Sequence, residues 1–255
     1  MAEEEREIME VAMEAGHILL ENGAEIFRVE ETINRICRHY GIKSGSAFIL
    51  SNGIFVTSGN MEEETFAKVQ HIPVSGSHLN RVAAVNQLSR EVEEGRCTIE
   101  EVRKRLDEIR QMPGKSNHMQ IISSGIGSGA FCYLYGGNLS DCLAAFLSGF
   151  LLYIFVLYIS GPHLNKMMSN IAGGAVATVA SMALFKLGIG QNLDRIIIGS
   201  IIPLVPGVAF TNAIRDIADE NYIAGTVRMI DALLVFFCIA MGVGLVYTVK
   251  QRIMM

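Results

Sequence analysis

IIPLVPGVAFTNAIR, residues 201–215, decides how this chain is read. Pro203, Pro206 and Gly207 interrupt a hydrophobic stretch, and polar residues follow at once. Each proline lacks an amide donor and clashes with the preceding turn, while glycine admits backbone shapes or close approaches that a side chain blocks. The segment therefore reads as a broken helix. In lipid, irregular backbone survives only where protein or a water-filled cavity satisfies its freed polar groups, so the break marks a candidate site.

Around it the composition divides in two. Up to Asn117 there are 14 Lys and Arg against 20 Asp and Glu; from His118 onward there are 7 against 6. Charge gathers in the first half, the pattern of a soluble domain joined to a membrane domain. Hydrophobic segments follow at about 119–135, 139–160, 165–187, 193–210 and 222–249. A spanning helix needs roughly 20 mostly apolar residues, so the first and fourth are marginal. The expected architecture is an α-helical membrane protein with five transmembrane helices (116–255) preceded by a small α+β cytoplasmic domain (1–115).

The start, MAEEEREIME, is acidic and lacks the basic and apolar regions of a secretory signal, which predicts a cytoplasmic first half. Short-loop charge favours neither orientation: Lys166, Arg215 and Arg228 fall on one side, Lys186, Arg195, Lys250 and Arg252 on the other. Cys37, Cys97, Cys132, Cys142 and Cys238 show no CxxC spacing, against structural zinc and a disulfide framework. No cofactor motif is present, and none is expected.

Within the first half, Ile8, Val11, Ala12, Ala15, Ile18 and Leu19 recur at helical spacing over 4–21 before Asn22-Gly23. A second helix over 24–40 carries Ile26, Phe27, Ile33 and Ile36. The period then changes. Runs 47–50 and 54–57 flank Ser51-Asn52-Gly53, a hairpin signal, and 68–74 reads as a third strand ended by Ser75-Gly76-Ser77. Helices resume over 79–94 and 98–111, the latter with Thr98 and Glu101 as a capping box. Met112-Pro113-Gly114 is the expected linker.

Beyond the break, Asn212 and Asp216 share a helix face at i, i+4, and Arg215 and Asp219 form a neighbouring i, i+4 pair. Arg228 and Asp231 sit three apart at the start of the last span. Intramembrane ionisable residues usually face a cavity or partner. On that reading Asp231 or Asp216 carries a proton while Arg215 or Arg228 binds an anion, and the broken helix presents a positive dipole end to a carboxylate. The candidate substrate and ion pathway is thus Pro203, Pro206, Gly207, Asn212, Arg215, Asp216, Arg228 and Asp231. The plainer reading makes the prolines a kink and 215–220 a solvated loop whose charges pair with one another.

Gly125, Gly127 and Gly129 with Ser124 and Ser128 lack a preceding strand, and with Gly173-Gly174 and Ala177 they read first as close helix packing. Asp141 reads as a helix cap after Asn138 and Ser140, and Asn170 as lining a cavity or bonding another helix. In the first half, Glu25, Arg28, Glu30 and Glu31 crowd one helix, with Ser46, Ser51, Asn52, Ser58 and His71 or His78 nearby in sequence. No GxSxG, HExxH or metal-ligand spacing supports catalysis. Nucleic-acid binding is not expected from an acidic domain whose basic run, Arg103-Lys104-Arg105, lies amid Glu and Asp.

An odd number of spans suits an inverted repeat whose second unit comes from another chain. GAEIFRVEETINRICRHYG (23–41), RVAAVNQLSREVEEGRCTIEEVRKRLDEI (81–109) and above all PLVPGVAFTNAIRDIADENYIAGTVRMIDALL (203–234) resemble the threonine/serine exporter family. The layout is most similar to the large component of its split, two-chain form, related to bacterial succinate export proteins. The resemblance implies a multi-pass protein of the bacterial plasma membrane with a cytoplasmic N-terminal domain and a small membrane-protein partner. It also implies export of amino acids or small carboxylates, driven by an ion gradient. Fused members carry the partner region after the part matching this chain, whereas this sequence stops at IMM, so a two-chain assembly is expected; a homo-oligomer is also compatible. The resemblance keeps one alternative open, a membrane-anchored hydrolase-like enzyme or sensor acting through the N-terminal half.

Overall fold

The computed structural model describes residues 3–42, 46–58, 66–72, 78–160 and 163–254. Contacts divide the chain into two compact units: 1–114 with 208–230, and 115–207 with 231–255. The first unit thus regains residues 208–230, a return that a linear division at residue 115 does not contain.

In the first unit, α1 (Glu3–Glu21) is the central helix. Ile8, Met9, Val11, Ala12, Met13, Ala15, Ile18, Leu19 and Leu20 are all buried, a broader face than one apolar stripe. Gly16 lets α2 (Ile26–His39) approach: a Cβ there would lie 2.6 Å from Ile33 Cδ1. The chain leaves α1 through Gly23, at φ 80°, a conformation glycine adopts without strain. In α2, Ile26, Val29, Ile33, Ile36 and Cys37 face inward, whereas Phe27 is 54% exposed. Phe27 follows Ile26 directly, about 100° around the helix from the buried stripe.

Strands β1 (Ser46–Leu50), β2 (Gly53–Ser58) and β3 (Phe66–His71) form an antiparallel sheet in that order. Leu50 pairs with Gly53 across the two-residue Ser51-Asn52 loop, and Gly53 pairs with His71. The third strand therefore ends before residue 74; the expected stop at 75–77 lies outside the described residues. Helices α3 (Leu79–Glu93) and α4 (Ile99–Arg110) complete the run, and the Thr98–Glu101 capping box is formed from both sides.

The second unit contains α5 (Asn117–Leu134), α6 (Leu139–Ile154), α7 (Lys166–Lys186) and α8 (Leu193–Ile201). A π-helical turn over Phe155–Ser160 prolongs α6. After α8 come a 3-10 turn, Ile202–Leu204, then α9 (Gly207–Ala218) and α10 (Tyr222–Met254). Among the described residues three helices are long and apolar enough to cross a membrane: Leu139–Ser160, Lys166–Lys186 and Tyr222–Arg252. The bent pair Leu193–Leu204 and Gly207–Ala218 makes a fourth if taken as one span. Against the five expected, α5 is not in this set. It has 18 residues, and its glycines and serines dilute its apolar character.

Those small residues bring backbones together. A Cβ on Gly125 would lie 3.1 Å from Phe146 O, one on Gly129 3.1 Å from Cys142 O, and one on Gly174 2.7 Å from Ile239 O. Asp141, fully buried, completes a capping box with Asn138 at the start of α6. It also accepts from the backbone N–H groups of Gln191 and Asn192 at 2.6 and 2.9 Å, tying the loop before α8 to the start of α6.

Candidate functional site

The break foreseen at residues 203–207 is formed. Regular helix stops at Ile201, and the axis bends by 66° before α9 resumes at Gly207. Gly207 is not among the glycines with positive φ, so the prolines, not glycine's conformational freedom, make the break. Leu204, in the 3-10 turn, packs toward Gly173 of α7, where a Cβ would lie 3.0 Å from Leu204 Cδ1.

Past the break, α9 and the first turns of α10 form a helical hairpin in the first unit. Its turn carries Glu220 at φ 65°, and Asn221 N donates to Asp216 O at 2.8 Å. The helices approach closely at Gly225, where a Cβ would lie 2.9 Å from Ile217 N. Four of the eight pathway candidates lie on this hairpin, and all four meet the α1–α2 turn. Asn212 Nδ2 donates to Gly23 O at 2.9 Å. Arg215 Nη1 reaches Glu25 Oε1 at 2.5 Å, so its hydrogen-bonded ion pair runs to the turn.

Asp216 and Arg228 are the centre of this joint. Asp216 Oδ2 accepts from Arg228 Nη1 at 2.7 Å, its Oδ1 accepts from Ile26 N at 3.1 Å, and Arg228 Nη2 donates to Ala24 O at 3.1 Å. The two side chains are 1% and 11% exposed. Charges so buried persist only when paired and fully hydrogen-bonded, and here the backbone of residues 24–26 completes the set. Asn212, Arg215, Asp216 and Arg228 thus clamp a turn of the N-terminal region.

Glu25 is the N-cap residue of α2 and holds Arg28 at 2.9 Å as well as Arg215. Burial opposes its ionisation, but the hydrogen bonds from Arg215 and Arg28 outweigh it and hold the carboxyl below the ordinary range. A carboxyl lowered on folding contributes stability above its unfolded pKa and loses it as pH falls through the folded value. Stability of wild type minus Glu25→Gln should therefore be constant above about pH 5 and shrink on acidification through and below the ordinary 4.5. The plateau difference should stay under about 1 kcal/mol, since Arg215 is 57% exposed. Parallel unfolding curves across that range would exclude the pair as a stabilising contact.

Glu25, Phe27, Arg28, Arg215, Ala218, Asp219 and Glu220 line an open cavity of about 610 Å³ in the same unit. The remaining candidates lie in the second unit. Pro203, Pro206 and Gly207 shape the break, and Asp231 Oδ2 accepts from Lys166 Nζ at 2.5 Å. The structure therefore groups Asn212, Arg215, Asp216 and Arg228, and gives Asp231 a separate partner. Among the described residues no three His, Cys, Asp or Glu side chains converge as a metal site.

Sequence reasoning did not reach Lys166 as Asp231's partner or the backbone of Gly23–Ile26 as the acceptor and donor set. Asn22-Gly23 signalled a helix stop, and nothing local marks such a stop as a docking point.

The family described as "Putative threonine/serine exporter" matches residues 10–250. The "Threonine/serine exporter" of Corynebacterium glutamicum is 24% identical over 245 residues, covering 93% of this chain and 50% of the relative. This chain thus spans about half the length of that protein. The "Probable succinate transporter subunit YjjP" of Escherichia coli K12 is 23% identical over 97% of this chain and 96% of its own length. The protein of the same name from Klebsiella aerogenes is 22% identical over 96% and 95%. No solved structure matches. With a match that runs through the N-terminal helices, the broken segment and the last helix, this chain belongs to the threonine/serine exporter family.

Proposed function

We propose that this chain is one subunit of a secondary-active exporter in the bacterial plasma membrane, working with a small membrane-protein partner. Its cargo is a small amino acid such as threonine or serine, or a small dicarboxylate such as succinate, moved by the proton motive force. The observation that carries this reading is the 66° break between α8 and α9, beside three helices fit to span a bilayer. Discontinuous helices of this kind form solute sites in transporters, because their ends offer unpaired backbone groups and dipoles to a passing ligand. The two kinds of named relative, amino-acid exporter and succinate transporter subunit, support the cargo classes.

On this reading α5, α6, α7, residues 193–210 through the break, and α10 are the five spans. The charged N-terminal domain, residues 1–115, faces the cytoplasm. Pro203, Pro206 and Gly207 line the path, and Asp231, near Lys166, carries the proton. Asn212, Arg215, Asp216 and Arg228 act from the joint, coupling the N-terminal region to α9 and α10, which continue into the path.

The test is flux from proteoliposomes holding this chain and its partner, with L-threonine, L-serine and succinate as cargo under an imposed proton gradient. Gradient-dependent movement of at least one is expected, and movement of none would end the exporter reading. Pro206→Ala, which lets α8 run on toward α9, should lower flux about tenfold, the effect of roughly 1.4 kcal/mol on a barrier. Asp231→Asn should flatten the pH dependence of flux while the protein still inserts. Unchanged flux in the first variant reduces the break to a kink, and an unchanged pH profile in the second makes Asp231 structural.

A further inference from the structure

The second unit contains a seam of hydroxyls that no role above uses. Ser128 of α5, Ser148 of α6, Ser181 of α7 and Ser200 of α8 are each fully buried, one from each helix. Ser181 Oγ lies 3.2 Å from both Ser148 Oγ and Ser200 Oγ, and 2.8 Å from Ala177 O. Ser200 Oγ lies 2.9 Å from Ile197 O. Three hydroxyl hydrogens face four contacts, so accepting lone pairs are left over.

Ser128 is set against the same helices. A Cβ built on Gly149 would lie 2.0 Å from Ser128 Oγ, and one on Gly199 2.7 Å from Ser128 O. Those glycines are the chain neighbours of Ser148 and Ser200. Hydroxyls in apolar helices usually bond to a carbonyl one turn back, as Thr178 does to Gly174 O at 2.7 Å. Ser128 Oγ, fully buried, has no hydrogen-bond partner among the described residues. An unpaired buried hydroxyl is a net cost that alanine at the same place would avoid.

We propose that this seam is the closed constriction of the solute path, and that its hydroxyls replace the water around a small solute of no net charge that carries N–H or O–H donors. The proposal rests on the exporter reading. A donor group, such as the ammonium of a zwitterion, meets the surplus lone pairs of Ser148, Ser181 and Ser200. The idle hydroxyl of Ser128 supplies a donor for the solute's acceptor. None of these four side chains is charged, so a dianion would lose its water there without a cation to replace it. Ser200 directly precedes Ile201, the last residue of α8, so movement at the proline break acts first on this seam.

Ser128→Ala separates the path from mere packing, because the two readings predict opposite signatures. For a packing seam, removing an unpaired hydroxyl leaves the melting temperature level or higher and flux unchanged. For a path, L-threonine flux in proteoliposomes with the partner falls about tenfold or more while the melting temperature does not fall. The second measurement is Ser128→Cys treated with a small water-soluble methanethiosulfonate, located by peptide mass spectrometry, with buried Cys132 one turn on as internal control. Labelling of position 128 with Cys132 unmodified is expected. An unlabelled thiol in the Ser128→Cys variant, or full L-threonine flux in Ser128→Ala, overturns the proposal. Labelling is read whether or not flux is seen, so absent flux of all three cargoes sinks the exporter reading, while an unlabelled position 128 sinks the seam by itself.

Discussion

Arg228→Ala is expected to destabilise the first unit by about 3–5 kcal/mol, the cost of leaving a buried carboxylate without its cation. The partner, Asp216, is 1% exposed, so water cannot take the guanidinium's place. Two acceptors lose their donor at once, Asp216 Oδ2 and Ala24 O. At roughly 2–4 °C per kcal/mol for a chain of this size, the melting temperature in detergent should fall by about 6–20 °C. Arg228→Lys should fall between, because one ammonium cannot reproduce a planar fork reaching both oxygens. Adding Asp216→Asn to Arg228→Ala should recover part of the loss, since the amide oxygen still accepts from Ile26 N and no net charge remains buried. A melting temperature within about 2 °C of wild type for Arg228→Ala would mean that this joint is solvated and contributes little.

Gly242→Leu should be comparably damaging, for steric reasons in the second unit. A Cβ at residue 242 would sit 2.1 Å from Ile171 O and 2.9 Å from Ala175 N. Both are backbone atoms of α7, which no rotamer change can move aside. The same helix pair meets again at Gly174, which faces Ile239 O, so α7 and α10 are in contact along their backbones. Even Gly242→Ala should cost about 1–3 kcal/mol, the usual penalty of overpacking, and leucine about 3 kcal/mol or more. The readouts are the yield of monodisperse protein and its melting temperature. Wild-type yield and stability for the leucine variant would show that α7 and α10 are not packed at this point.

Much of the chain was legible because its signals are local. The Ser51-Asn52 hairpin, the Thr98–Glu101 capping box and the Asn138–Asp141 cap each depend on residues within four positions of one another. The proline break is of the same kind, since a missing amide and a ring clash act on the preceding turn wherever the helix ends up. Glycine spacing likewise announced close packing at Gly125, Gly129 and Gly174. Phe27 shows the limit: its helix was foreseen, but its apolar side chain stands exposed beside the cavity that includes Glu25 and Arg215.

Which partners the charges of the candidate site take was not legible. Arg215 and Asp219 have favourable i, i+4 spacing, yet Arg215 reaches Glu25, 190 positions away. Asp216, one of two candidate proton carriers with Asp231, and Arg228, one of two candidate anion ligands with Arg215, are joined to each other and to the backbone of residues 24–26. Ser148, Ser181 and Ser200 carry no sequence mark, being single serines in three different helices, and only packing brings their oxygens together.

By itself, the sequence determined the family, the mixed helix-and-strand character of the first half, the apolar helices of the second and the position of the break. The family follows from the likeness of residues 23–41, 81–109 and 203–234 to its members, and the rest from periodicity, turn chemistry and composition, which act over a few residues. Only the tertiary structure decided that residues 208–230 pack with the N-terminal unit and that the hairpin's charges close on the Gly23–Ile26 turn. The physical reason is that a buried charge must find every one of its hydrogen-bond partners, and nothing in the spacing of a chain says which distant backbone will supply them.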